Sequence, residues 1–321
     1  MPLDHFVSQV HLKNFYTDSG RLVGVKKDDL KKFYAKSDDV CRRPDGSTNG
    51  YLTEPRAVEE FLKEVEPKYN AAVTALRERN IDADGVYVLA GFIAYLMTCS
   101  PTAMRISTPH LAASVQTAAE IIDAQGLLPP APDILGNKSM TELLEDGSVK
   151  ISVDEKYPQA MGISVIEAVV GNFGNALWDV MFADRSYGSF LTSDFPVGLG
   201  ASHDKRVVSR TVPLAPDIAV RIHPMIGERD EASDFSFPQF RARFVQLGLN
   251  EMREVNRQIV QAAETMVFYN DDVDWLVPFV RKNRDYRMDS IVDRIPAPGG
   301  GKFIVASQRI MPYKRASGGT A

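Results

Sequence analysis

The chain has 321 residues, of which 44% are hydrophobic and 25% charged. These proportions suit a folded, soluble protein that builds a full core without metal or disulfide staples. A formal charge of −5 leaves no broad basic footprint, which argues against wholesale nucleic-acid binding through many phosphate contacts.

The first residues, HFVSQVHLKNF, carry no basic leader followed by an apolar stretch, so no secretory signal is expected. His5, Gln9, Leu12 and Phe15 fall at spacings that align them along one side of a helix or turn. A strand is expected over residues 21–26, and a polar loop over 37–53. Beyond Pro55 the apolar positions Val58, Leu62, Val65, Tyr69, Ala72 and Leu76 follow a 3.6-residue period and predict one long core helix. Glu59 and Glu66 sit on the margin of that stripe as a partly shielded pair; the plainer reading is a salt-bridged edge. The longest apolar run, residues 86–99, is shorter than the roughly 20 residues needed to cross a bilayer. It reads as a buried helix capped by Asp84 and ended at Ser100-Pro101. Cys41 and Cys99 are far apart, which favours free thiols in a reducing, cytoplasmic compartment.

Thr108-Pro109 has the form of a helix start, and Gly126 that of a stop. The proline-rich residues 127–138 are the best linker, and Ser139 with Glu142 forms a capping box. Residues 158–181 predict a longer helix whose Gly171 and Gly174 imply a close neighbour. The stretch 187–224 organises the chain: strands over 189–193, 207–212 and 218–223, with turns at residues 193–196 and 213–217. Helix returns over 244–268, followed by a short apolar element at 275–280, a basic-leaning segment at 281–294 and a last strand at 302–307. The end, 317–321, reads as frayed. With helices leading and strands at both ends, the fold class is α+β: a helix-rich core with a small mixed or antiparallel sheet from N-terminal and C-terminal-half strands. The chain 1–321 reads as one integrated domain with a helical subregion over 54–183.

In order, HFVSQVHLKNF, FIAYLMTCSPTAMR, FLTSDFPV, VPLAPDIAVRI and an Asn-bearing late helix resemble domain-of-unknown-function family 4238, which is mostly bacterial. The resemblance spans nearly the whole chain and implies one globular unit without naming a reaction. The residues that fit its pattern include His5, Gln9, Glu66, Arg105, Ser193, Asp194, Pro196 and Asn256. An arginine that often precedes the proline of the middle helix is replaced here by Cys99-Ser100-Pro101, so an anion-binding role is not carried to that spot.

These residue types suggest a metal-dependent hydrolase, nuclease-like or phosphodiesterase-like, acting on a small or acidic substrate. His5, Glu66 and Asp194 would hold a divalent cation that lowers the pKa of bound water, and Arg105 would offset substrate charge. Gln9, Ser193 and Asn256 would contact substrate. Each has a plainer alternative: a backbone-bonded histidine, an Asx turn at Asp194, and a structural ion pair at Arg105. No nucleophile elbow surrounds Ser193. Neither Gly198-Leu199-Gly200 nor residues 299–302 make a phosphate loop, so no nucleotide cofactor is expected. The rival function is a non-catalytic binding module of a bacterial defence or stress system. No membrane partner is expected, and the oligomeric state is open.

Overall fold

A computed structural model describes residues 3–129, 131–184, 186–225, 234–296 and 302–313; the expected frayed end and the glycines at 299–301 lie outside the described residues. Strand β1 (Leu3–His5) leads into a short helix α1 (Gln9–Lys13). Strands β2 (Leu22–Lys26) and β3 (Lys32–Ala35) pair antiparallel, and β4 (Arg42–Pro44) returns to β1. The long helix expected after Pro55 is two helices, α2 (Ala57–Val65) and α3 (Tyr69–Arg77), joined by a tight turn over Glu66–Lys68. Pro67 is the cause, because its ring and missing N–H are incompatible with a continuous helix interior. The apolar stripe survives the break: Val58, Leu62, Val65, Tyr69, Ala72 and Leu76 are all buried.

Helix α4 (Ala83–Thr98) is the centre of the helical layer and is buried along nearly its whole length. Its cap is Asp82, whose carboxylate accepts from the Gly85 N–H at 2.9 Å; Asp84 already lies in the first turn. The Ser100 side chain caps α5 (Pro101–Ala124), which leaves α4 at 57°. Thr108-Pro109 therefore opens no helix. It falls inside α5, which Ser100 had already started eight residues upstream. Among the described residues no single helix is long and apolar enough to cross a membrane. Helix α6 (Met140–Glu145) begins at the expected Ser139 and Glu142 capping box. Helices α7 (Tyr157–Ser164) and α8 (Ile166–Gly174) follow, and the chain then changes period into strand β5 (Leu177–Phe182). The helix expected over 158–181 thus stops at Gly174, where a Cβ would meet the Phe237 ring at 2.1 Å.

The remaining elements are β6 (Thr192–Ser193), β7 (Gly198–Ala201), β8 (Val208–Ala215), β9 (Ile218–His223), β10 (Arg241–Gln246), α9 (Leu249–Ala262), β11 (Met266–Tyr269), α10 (Leu276–Asn283), β12 (Tyr286–Pro296) and β13 (Lys302–Pro312). Residues 244–268, expected to be one helix, are the end of β10, then α9, then the start of β11. The fold is α+β. A four-stranded antiparallel sheet, β3-β2-β11-β6, joins N-terminal strands to strands from the second half. A five-stranded mixed sheet, β10-β5-β9-β8-β7, is antiparallel except for β10 against β5.

Strand periodicity gives the mixed sheet two faces. Trp178, Val180, Val220, Ile222 and Val212 look into the main core with α4 and α8. The opposite face carries Met181 and Ala219, which pack on Met252 and Val255 of α9, and then turns polar at Asp179, Arg221, Thr211 and His223. The β12–β13 hairpin lies along α5. Arg294 and Lys302 both reach Glu120 there, at 2.9 and 3.2 Å.

His11 ties helices to sheets. Its ring is fully buried, with Nδ1 2.8 Å from the Tyr69 hydroxyl and Nε2 2.8 Å from Thr192 Oγ1. Because Tyr69 donates its own proton to the Leu214 carbonyl at 3.0 Å, Nδ1 is the protonated nitrogen and Nε2 accepts from Thr192. Burial holds the His11 pKa down to about 3. The unfolded chain, with a pKa near 6.5, takes up a proton that the native state refuses. Stability should therefore fall as pH drops from about 6.5 toward about 3, at up to about 1.4 kcal/mol per pH unit from this residue. Urea denaturation at pH 7 and pH 4.5 should show that loss, and His11→Gln should flatten it.

Candidate functional site

The polar end of the mixed sheet assembles four segments around one carboxylate. Asp179 occupies the third position of β5, between apolar neighbours, and is buried. The register sets it opposite Arg221 on β9 and Arg243 on β10, so all three side chains leave the same face. Arg243 clamps it through two parallel bonds, Nε to Oδ1 at 2.8 Å and Nη2 to Oδ2 at 2.8 Å. His223, at the end of β9 and on the same face, donates from Nε2 to Oδ2 at 3.0 Å. Its Nδ1 lies 3.2 Å from the Ser202 hydroxyl. His203, exposed on the loop between β7 and β8, stacks on His223 with ring centres 4.3 Å apart, and its Nε2 meets Arg243 Nη2 at 3.1 Å.

Burial would raise the Asp179 pKa, but hydrogen bonds from His223 and Arg243, with their charge, outweigh it and bring the value down to about 2. Asp179 is accordingly ionised at neutral pH. Ligand atoms of Asp179, His203 and His223 all lie within 4.8 Å of one another. Two imidazoles and a carboxylate form a three-ligand set of the kind that suits zinc or another first-row divalent ion. Helix α9 covers the sheet only as far as Gly198 and Gly200, where a Cβ on Gly198 would meet Gln258 at 2.8 Å, and His203 and Arg243 remain exposed beyond it. Arg243 occupies a position between Asp179 and His203 that a cation would contest. Its side chain is 51% exposed and can swing out.

The residues singled out from sequence alone lie elsewhere. Asp194 is buried, and its two oxygens accept from Glu264 N at 2.9 Å, Thr265 N at 2.7 Å, Thr265 Oγ1 at 2.5 Å and Met266 N at 3.2 Å. Burial raises its pKa, against hydrogen bonds from Thr265 and the charge of Lys27. Arg105 meets the same loop from the other side: Nη2 donates to Glu264 at 2.9 Å and to the Met288 carbonyl at 2.7 Å, and Nη1 to Asp289 at 3.3 Å. Asp194 and Arg105 are therefore brought together, as braces of the turn into β11.

His5, on β1, has its Nδ1 3.4 Å from Gln9 Nε2, so that expected neighbour contact is present; the Gln9 carbonyl oxygen also accepts from Ser37 at 3.2 Å. Desolvation and the nearby Arg42 hold the His5 pKa below its ordinary value, and its Nε2 is buried without a partner. Glu66, in the turn between α2 and α3, has its pKa raised by burial and by Glu59. Ser193 Oγ accepts from the Phe195 N–H at 3.2 Å, and Asn256 holds Ser189 O and Leu191 N at 3.0 and 2.8 Å. The ligand atoms of His5, Glu66 and Asp194 do not gather into one set; among the described residues the group that does is Asp179, His203 and His223. The physical reason is that Asp194 has spent its lone pairs on backbone N–H groups. Asp179 was hidden by reading β5 as helix, where a lone acid carries no meaning. In a strand, an acid flanked by Trp178 and Val180 must find a charge partner across the sheet.

An α+β chain with a His-His-Asp constellation at the open end of a mixed sheet is the class these features define. A family model described as protein of unknown function (DUF4238) matches residues 4–273, and the chain belongs to that family. No curated protein and no solved structure matches it. All of the Asp179 cluster lies within the matched region, whereas the β12–β13 hairpin lies beyond it.

If Asp194 is a brace, Asp194→Asn should lower stability by roughly 2–4 kcal/mol, because an amide cannot accept every N–H now aimed at it. Denaturant titration measures this. An unchanged melting curve would return Asp194 to the list of functional candidates.

Proposed function

We propose that the protein is a metal-dependent hydrolase acting on an anionic ester, of phosphodiester type, with its reaction centre at Asp179, His203 and His223. The observation that carries this reading is the convergence of two imidazoles and a carboxylate within 4.8 Å on an open face. Arg221 and Arg243 flank the cluster, and with one of the two matched by Asp179 they would leave a positive charge for an anionic substrate. A divalent ion held there would supply a bound water of lowered pKa. The chain's own parts are then clear. In the ion-free arrangement Asp179 orients His223 through the Nε2 bond and Ser202 meets Nδ1. To hold an ion, a ring nitrogen of His223 would be released from one of these partners, and Arg243 would turn from Asp179 to join Arg221 on substrate oxygens. Free, buried Cys41 and Cys99 support the reading that the chain works in a reducing, cytoplasmic setting.

The preformed Arg243–Asp179 pair supports the rival reading, a non-catalytic module in which the cluster is an ion-paired seam. The test is hydrolysis of bis(4-nitrophenyl) phosphate by metal-stripped protein with added zinc or manganese. Restored turnover, loss of at least about 100-fold in His203→Ala, and tighter metal binding in Arg243→Ala are expected. A reaction rate indifferent to chelator and to His203→Ala, in protein that retains no metal, would remove the hydrolase reading.

A further inference from the structure

On the other side of the mixed sheet lies a cleft of about 590 Å³ between α5, β8 and the β12–β13 hairpin. Its wall includes Arg210, Arg309, His110, Ser107, Ser290 and Ser307. Arg206 also reaches it, but Asp204 already matches that charge. Among the described residues no carboxylate lines the cleft and neither Arg210 nor Arg309 has a salt bridge; Asp289, opposite Arg309 across the hairpin, is taken by Arg105 and Arg287.

Arg210 is the informative member. It leaves β8 on the face that carries Ile222 and Val212, toward the core, and its Nε is buried without a hydrogen-bond partner. Its other nitrogens find only neutral oxygens: Nη2 donates to Gln308 at 2.9 Å and Nη1 to the Val208 carbonyl at 3.4 Å. Desolvation pulls its pKa down to about 10, so it remains a cation at neutral pH. His110, one turn beyond Ile106 on α5, likewise has its Nδ1 buried and unpartnered. A guanidinium whose Nε is held away from water without a counter-charge is destabilising. Such an arrangement persists where something else supplies the negative charge.

We propose that this cleft binds a phosphoryl group, with Arg210 and Arg309 as its charge partners and His110 and the serines as hydrogen-bonding groups. A guanidinium offers phosphate two parallel N–H donors, which is why arginine rather than lysine suits the place. The volume is that of a small-molecule pocket and far exceeds the share of one water, so a phosphorylated metabolite fits as well as free phosphate. Ser290, Ser307 and Arg309 come from the hairpin, so the site draws on residues beyond the matched region.

Thermal melting of the full chain in chelator-containing buffer at constant ionic strength tests the proposal with inorganic phosphate as probe. A saturable rise of a few degrees is expected, and an equal chloride concentration should give none. Arg309→Ala, at an exposed position, should fold normally and lose most of the shift. Arg210→Met should melt no lower than wild type without phosphate, since it removes an unmatched buried charge, and should show no shift. Phenyl phosphate separates the sources: tighter binding than phosphate points to an organic phosphate, equal binding to the free ion. Asp179→Asn should keep the shift, so failure of the hydrolase reading would leave this one standing. A phosphate shift that is absent, matched by chloride, or intact in Arg309→Ala would overturn it, whether or not Arg210→Met folds.

Discussion

A carboxylate placed in the middle of a buried strand has to be matched by positive charge, and Asp179 meets that demand through the sheet itself. The register puts Arg243 beside it on β10, and β9 ends with His223 within reach of the same oxygen atom. Had β10 slipped by one residue against β5, the guanidinium would face the apolar side and the carboxylate would be stranded, at a cost of several kcal/mol. The ion pair thus fixes the strand register and creates the polar end of the face. His203 then completes the cluster from the loop between β7 and β8.

Three other polar centres of the molecule work differently. His11, Asp194 and Lys27 are buried, and their partners lie within the chain: His11 between Tyr69 and Thr192, Asp194 under the backbone of residues 264–266, and Lys27 against the carbonyls of Ala263 and Tyr286. Such networks join elements far apart in sequence and rigidify the fold. They leave no capacity for a ligand. The Asp179 cluster and the Arg210 cleft differ because each retains unmatched capacity: exposed imidazole in one, uncompensated guanidinium in the other.

The α+β class and the joining of N-terminal to later strands were readable from periodicity and turn chemistry, as were the buried α4 helix, the capping box of α6 and the strands β8 and β9, although β8 runs on to Ala215 through part of the expected turn. The family was readable from ordered segments such as FLTSDFPV. Element boundaries are hard to read from sequence where two elements meet at a single glycine or none. At residues 174–177 and 246–249 a lone glycine, Gly174 or Gly248, marks the change, at 262–266 none does, and a helical period can be threaded through strand and helix alike. That misreading of β5 concealed Asp179. The stretch 187–224 contains two of the three cluster members, His203 and His223, but its acid at a strand end, Asp194, is the stronger signal in sequence, and its carboxylate is bound to backbone. A position fitting a family pattern is as compatible with bracing a turn as with chemistry, and only the hydrogen-bond partners separate the two.

The central claim is that Asp179, His203 and His223 act as one ligand set. Titration of the metal-free protein with cobalt(II), followed by visible absorption, tests it most directly, because the spectrum reports both stoichiometry and ligand type. A single saturable site with imidazole-type absorption, abolished in His203→Ala and His223→Ala while the fold is retained, is the predicted result. A featureless, non-saturating titration, or an unchanged spectrum in both variants, would contradict it.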